Sequence, residues 1–375
     1  MGSILIFSAS TGGGHNQVAA VLQKEFALRG HTVETHDFLR ESNRFIELVI
    51  VDGYNRLAVG SSKLFGVLYK TSDKKAVYQR LHHLLNRFLS QCIREIVQAN
   101  SPDLIVVTHP LIVNIMGDLK ARGQIDPPIM SVVTDFDVHQ SYVNRYIDAY
   151  IVAGEHAART LTRRGISREK IYTNGIPVRQ DFWQGTNETN DQKNFSILLM
   201  GGAMGAKPMG RTLKALLEVP FPLRIVVVCS NNQILKKKLE EMYRQAPVGK
   251  EIIIYGFTSE ISRLMDEADV IFTKPGGITT SESIAKGIPM VIPFFIPGPE
   301  QQNTRILVER GMAVQVNGAR EIKALVTELI EKPEILRQLA DNMKRLSSSY
   351  SLENTMLLAQ QLIDDYQVKS RECYV

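Results

Sequence analysis

Short apolar runs alternate along this chain with longer segments in which apolar residues fall at helical spacing. Residues 4–7, 32–35, 104–107, 129–133 and 149–152 read as strands in the first half, and residues 196–200, 224–229, 252–255, 270–272 and 290–292 repeat the pattern in the second. Between two of the early runs, Leu81, Leu84, Leu85, Phe88, Leu89, Cys92, Ile93 and Ile96 mark one face of a long helix, a stripe better suited to a core than to a partner. Strand and helix in turn predict parallel sheets covered by helices. Residues 181–194 are polar and without periodicity, so they read as a linker between a first domain at 1–180 and a second at 195–350. Amphipathic helices are predicted at 335–347 and 352–366, and the last, within residues 351–375, can pack back on the first domain.

Composition narrows the class. The chain has 375 residues, 44% of them hydrophobic and 22% charged, which suits two soluble domains with a core each. No apolar run approaches the roughly 18 to 20 residues that cross a bilayer, and the first residues read as a buried strand and not as a signal peptide. Cys92, Cys229 and Cys373 are distant from one another and odd in number, which predicts neither a disulfide framework nor a metal cluster and points to a reducing, cytoplasmic setting. The net charge of +5 is modest, but its distribution is uneven. Between Arg56 and Arg94 stand eight basic residues, among them Lys63, Lys70, Lys74 and Lys75, against Asp73 alone, interleaved with Leu64, Phe65, Val67, Leu68 and Tyr69. Such a mixture suits either a solvated helix face or the surface of an anionic membrane. No nucleic-acid motif accompanies the charge.

Candidate chemistry gathers at glycine turns. The first strand runs into Ser8-Ala9-Ser10-Thr11-Gly12-Gly13-Gly14-His15, where a helix begins. Glycines allow close backbone approach, and the unpaired N–H groups of a helix start favour an anion. The spacing is not the dinucleotide fingerprint, because the next glycine after Gly14 is Gly30. The second domain opens likewise, with Leu198-Leu199-Met200 leading into Gly201-Gly202, so two ligand-facing loops are expected across a cleft between the domains. Further on comes Thr273-Lys274-Pro275-Gly276-Gly277-Ile278-Thr279-Thr280-Ser281-Glu282, in which Thr279, Thr280 and Ser281 can cap a helix whose positive end suits a diphosphate. Glu282, expected in that helix's first turn, is either a carboxylate for two ribose hydroxyls or an acid placed by the helix dipole. Gln301, Gln302 and Asn303 are a run of amides able to read sugar hydroxyls or simply to start a helix.

Taken together these segments resemble the lipid glycosyltransferases that include monogalactosyldiacylglycerol synthase and the processive diacylglycerol glucosyltransferases, and, more distantly, the enzyme that adds N-acetylglucosamine to lipid-linked peptidoglycan precursors. The resemblance spans nearly the whole chain. It is carried by Ser10 through His15, Thr108-His109-Pro110, Val133-Thr134-Asp135-Phe136 with His139, Asn174-Gly175-Ile176-Pro177-Val178, Gly201-Gly202, and Thr273 through Glu282 to Pro297-Gly298 and Gln301-Gln302-Asn303. It implies a GT-B fold, α/β with two Rossmann-like domains facing across a cleft. It implies a UDP-hexose donor, UDP-glucose or UDP-galactose, a diacylglycerol acceptor, inversion at the anomeric carbon, and peripheral binding to the inner face of the cell membrane. Two departures stand out: Pro299 precedes Glu300 where the family usually shows glutamine, and Tyr142 stands where it often shows tryptophan.

Inverting transfer needs a base for the acceptor hydroxyl and a cradle for departing UDP, with no cofactor or metal required if helix ends carry the diphosphate charge. His15 is the expected base, or else a histidine that only binds or orients a substrate; Asp135 can orient a histidine, act as base itself or cap a strand end, and His109 and His139 are weaker candidates for the base. Donor binding is expected from Gly14, Gly201, Gly202, Gly276, Gly277, Thr279, Thr280, Glu282, Gln301, Gln302 and Asn303. Acceptor and membrane contacts are expected from Lys63, Tyr69, Lys70, Lys74, Lys75, His109 and His139. A sugar-nucleotide 2-epimerase of the same fold and a non-catalytic nucleotide-sugar or membrane-binding protein are the competing readings.

Overall fold

Apolar runs too rich in isoleucine, leucine and valine to leave either face in water become the central strands of two parallel sheets in the computed structural model, which describes residues 1–10, 13–41, 62–185, 194–201 and 206–372. The first sheet holds β1 (Ser3–Ser8), β2 (Thr32–Asp37), β3 (Leu104–Val107), β4 (Ile129–Val132), β5 (Ala149–Ile151) and β6 (Ile171–Tyr172) in the order β2-β1-β3-β4-β5-β6. Pairing is parallel throughout, with Phe7 opposite His36 on one side and Val107 on the other. The inner strands β3 and β4 are buried at every position, whereas the edge strand β2 is half-exposed and more polar.

Helices α1 (Gly14–Leu28), α2 (Ser62–Ser72), α3 (Lys75–Asn100), α4 (Pro110–Ala121) and α5 (Glu155–Arg163) belong to this unit. Leu89, Ile93 and Val97 of α3, four residues apart, enter the same apolar cluster as Ile112, Val113 and Met116 of α4. The second unit repeats the plan with β7 (Phe195–Met200), β8 (Leu223–Val228), β9 (Lys250–Tyr255), β10 (Val270–Thr273), β11 (Met290–Ile292) and β12 (Ala313–Gln315), ordered β12-β11-β10-β7-β8-β9 and again all parallel. Its helices are α6 (Ala206–Leu217), α7 (Gln233–Met242), α8 (Ile261–Asp266), α9 (Gly277–Lys286), α10 (Pro299–Glu309), α11 (Ala319–Glu331) and α12 (Pro333–Ser347). The ten strands expected from the sequence are present. β6 and β12, two and three residues long, carry too few positions to show a period.

The units comprise Met1–Val178 with Pro297–Pro299 and Ser349–Val375, and Arg179–Ile296 with Glu300–Ser348. The start of the expected linker is structured within the second unit. Phe182 is buried, Ser262 Oγ donates to the Asp181 carbonyl at 2.7 Å and Lys286 Nζ to that of Gln184 at 2.8 Å. Residues 186–193 lie outside the described ones. The last helix, α13 (Leu352–Glu372), groups with the first unit. Gly175 accounts for part of that return: its φ of 85° favours glycine, and a Cβ there would stand 2.3 Å from the Tyr350 ring. Tyr350 donates its hydroxyl proton to the Ala153 carbonyl at 2.8 Å, and Ser351 N–H donates to the Asn174 carbonyl at 2.9 Å.

Candidate active site

In each sheet the chain leaves its first strand toward one edge and later returns on the other side of it, between β1 and β3 and between β7 and β10. At such a switch the turns after the two strands diverge and leave a crevice at their carboxyl ends. The glycine turns stand there. In the first unit Gly13 precedes α1 with φ 84°, and nothing lies within 4 Å of where a Cβ would stand, so backbone geometry and not space calls for glycine. Among the described residues no side chain caps α1, whose first residues are Gly14 and His15.

The His15 ring is held by the turns after β3 and β4. Its Nδ1 lies 2.8 Å from the Thr108 carbonyl and 3.1 Å from Thr134 Oγ1, which in turn is 3.1 Å from the Tyr142 hydroxyl. A carbonyl only accepts, so Nδ1 carries the proton and the neutral ring turns its lone pair out through Nε2. Burial drives the His15 pKa down to about 4, against the opposing pull of the Thr108 carbonyl. His109 stacks edge-on at 4.6 Å between centroids, and burial, followed by the neighbouring His15, holds it well below the usual histidine range. The Nδ1 of His109 accepts from Leu111 N–H at 3.3 Å and thereby caps α4.

Asp135 follows β4 and is half-buried, with its charge acting on the Tyr69 phenol. Tyr69 lies against His139, ring centroids 4.5 Å apart. His139 Nδ1 accepts from Ser141 N–H at 3.1 Å, while Nε2 is 3.3 Å from both Ser72 Oγ and the Tyr69 carbonyl. This histidine thus fastens the end of α2 to the loop that carries Asp135. Asp73, the lone acid of the basic stretch, takes both guanidinium nitrogens of Arg164, at 2.8 and 2.9 Å, and the Gln140 N–H at 2.8 Å. On α2, Val67 and Leu68 are 61% and 47% exposed beside exposed Lys70, and exposed Lys74 follows. The side chains of Lys63 and Lys75 lie outside the described ones.

In the second unit Gly201 ends β7 and is buried, while Gly202 lies outside the described residues. The expectation that Thr279, Thr280 and Ser281 cap α9 needs correction. Gly276 is the N-cap, the helix begins at Gly277, and no side chain caps it. Ser281 donates back to the Gly277 carbonyl at 2.9 Å, and the fully buried Thr280 hydroxyl has no partner among the described residues. The three hydroxyls begin at the third helical residue, too late to cap. Glu282 is therefore in the second turn, not the first, where the helix dipole has little hold on it. Among the described residues no group hydrogen-bonds its carboxylate. Burial pushes Glu282 up to about 8, with Arg179 pulling it down and Asp181 adding to the rise.

Asn303 is fully buried and donates from Nδ2 to the Pro275 carbonyl at 3.0 Å. It braces the glycine turn, and Gln301 and Gln302, half-buried on the same helix, are the more accessible amides. Two residues that the spacing did not single out complete the brace. Glu300 pairs with Lys274 Nζ and accepts from Ile296 N–H at 2.8 Å.

The profile of monogalactosyldiacylglycerol (MGDG) synthase matches residues 15–178, and that of glycosyl transferases group 1 matches residues 187–346. A processive diacylglycerol beta-glucosyltransferase of Bacillus cereus is 30% identical over 353 residues, covering 92% of this chain and 89% of the relative. The enzyme of the same name from Bacillus pumilus is 29% identical over 362 residues, 94% of this chain and 93% of its own. The crystal structure of Acinetobacter baumannii MurG superposes with a TM-score of 0.62 at 15% identity, over 97% of this chain and 99% of that one, a likeness of fold.

Proposed function

Since this chain belongs to the GT-B family of monogalactosyldiacylglycerol synthases and processive diacylglycerol glucosyltransferases, we propose that it transfers a hexose, glucose in the first instance, from a UDP-sugar to diacylglycerol with inversion. Glucose is favoured over galactose by the activity named for the bacterial relatives. The observation that carries the reading is the His15 ring, neutral, with Nδ1 fixed on the Thr108 carbonyl and Nε2 left to accept. In the reaction the acceptor hydroxyl gives its proton to Nε2 as its oxygen bonds to the anomeric carbon. The bond from that carbon to the diphosphate oxygen breaks, and UDP departs with the electron pair. Attack opposite the leaving group inverts the centre. The Thr108 carbonyl keeps its hydrogen bond to the imidazolium that results.

Two features support the second unit as the donor side: the uncapped start of α9, whose N–H groups suit a diphosphate, and the unbonded carboxyl of Glu282, suited to ribose hydroxyls. Support for a peripheral membrane site comes from α2, with Val67 and Leu68 beside Lys70 and Lys74, while no described helix is long and apolar enough to cross a bilayer. The test is to incubate the purified protein with diacylglycerol in anionic vesicles and labelled UDP-glucose or UDP-galactose in separate tubes. Label is expected in a glycolipid in the UDP-glucose tube, with a ladder of products if transfer repeats. No labelled lipid from either donor, with UDP still bound, overturns the assignment and revives the epimerase reading.

A further inference from the structure

The helix start that carries His15 is flanked by glycine and has no side-chain cap. Thr108 and Thr134 hold the ring on one side, but that leaves the backbone beneath it to be fixed by other means. The next residue along α1, Asn16, supplies the connection. Its Nδ2 donates to Asp37 Oδ2 at 3.0 Å and to Ser10 Oγ at 2.9 Å, and its Oδ1 accepts from Ser8 Oγ at 2.5 Å. Asp37 closes β2 directly opposite Ser8 at the end of β1. Its carboxylate accepts from Ser10 N–H at 3.1 Å and from the Ser10 hydroxyl as well. One carboxylate therefore grips both ends of the glycine turn, Ser10 before it and Asn16 after it. Arg40 stands farther off, at 3.6 Å from Oδ2, and is 71% exposed, while Ser10 and Asn16 donate to the carboxylate directly.

We infer that Asp37 is a positioning residue, which fixes His15 for proton transfer by clamping Ser10 and Asn16 across the glycine turn. The inference rests on His15 being the base. Hydrogen bonds to a charged acceptor are the stronger kind, and burial, which alone would raise the Asp37 pKa, is outweighed by the Ser10 and Asn16 bonds that hold it below the usual carboxylate range. Motion of the turn by about an ångström would carry Nε2 out of line with the acceptor hydroxyl without touching the donor side.

The pair is testable by exchanging its partners. Asp37→Asn sets an amide donor against the Asn16 donor, and Asn16→Asp sets two carboxylates face to face. Each single substitution is expected to lower kcat about tenfold to a hundredfold, with the KM for UDP-glucose changed by no more than about twofold. In the double variant donor and acceptor have traded sides, and kcat should return to within about threefold of the parent. The His15 ring resonances in 15N-histidine-labelled protein report position without reference to activity: they should broaden or shift in each single variant and recover in the double. Parent-like kcat in Asp37→Asn, or a double variant no better than either single, overturns the inference. If His15→Ala keeps its activity while the ring resonances still follow the exchange, the clamp stands and the assignment of the base fails.

Discussion

After β1 and after β10 the chain passes from a parallel strand through a glycine N-cap into a helix, yet the two helices bury opposite kinds of acid–base group. At the start of α1 lies an imidazole held neutral with a pKa lowered to about 4. Within α9 lies a carboxyl raised to about 8. Burial penalises the charged form in both cases, and with one group basic and the other acidic the same cause moves them in opposite directions. The turns are also braced differently. The first is tied by a carboxylate to flanking polar side chains, Ser10 and Asn16, whereas the second is held from behind by Asn303 and by the Glu300–Lys274 pair. A shared architecture thus leaves a neutral imidazole at one helix start and a protonated carboxyl within the other helix.

Removing the imidazole is the strongest way to separate the two. His15→Ala should lower kcat about a hundredfold or more while leaving UDP affinity in place, which steady-state kinetics with isothermal titration of UDP will show; near-parental turnover ends its role as base. Next in size is the lipid side. Lys70→Glu with Lys74→Glu reverses two exposed charges, each worth about 1 kcal/mol at an anionic surface, and should weaken vesicle binding at least about thirtyfold in a sedimentation assay. Unaltered binding would move the membrane contact elsewhere. Glu282→Ala should act on the donor alone, raising the KM for UDP-glucose about tenfold with little change in kcat. An unchanged KM removes the carboxyl from ribose binding.

The remaining effects concern pH. An unfolded histidine at 6.5 binds a proton that folded His15 refuses until about 4, so stability is lost as pH falls through that window. Folded Glu282 keeps a proton up to about 8 that the unfolded chain releases near 4.5, so stability is lost as pH rises between them. Thermal unfolding across pH should therefore show the acid-side loss shrink in His15→Ala and the alkaline-side loss shrink in Glu282→Gln. The acid limb of kcat/KM in the parent should fall near 4 and not near 6.5, because the working ring is the buried one.

Much of this was legible in the order of residues. Ile4 through Phe7 and Leu104 through Val107 announce buried parallel strands because neither face of them can meet water. Glycines followed by His15, and again Gly276 and Gly277, mark the switch points, and at Gly13 a φ of 84° is what favours glycine. What could not be read is what depends on partners far along the chain. Asn303 shows in the sequence only as one of three amides, and its bond to the Pro275 carbonyl, 28 residues away, appears with the fold. His109 and His139 are singled out by residue type alone, and that each also caps a helical turn appears only with the fold. Thr279 to Ser281 read as caps, but the helix already begins at Gly277, so all three lie inside it and Ser281 bonds back to the Gly277 carbonyl. Asp37 carries no local sign at all, since its meaning comes from Ser10 and Asn16.

The return of α13 to the first unit has a consequence for how the molecule is made. Tyr350 against Gly175, Ser351 on Asn174 and Arg29 with Glu353 at 2.6 Å join the first unit to a helix that comes after the second unit in the chain. On a ribosome the first sheet can assemble early, but the whole of the second unit, Arg179–Ile296 and Glu300–Ser348, must be made before that helix emerges to seal it. During that interval the surface that α13 will cover is open to chaperones. A chain released short of Tyr350 would carry all of its chemistry and lack the segment that closes the half presenting His15.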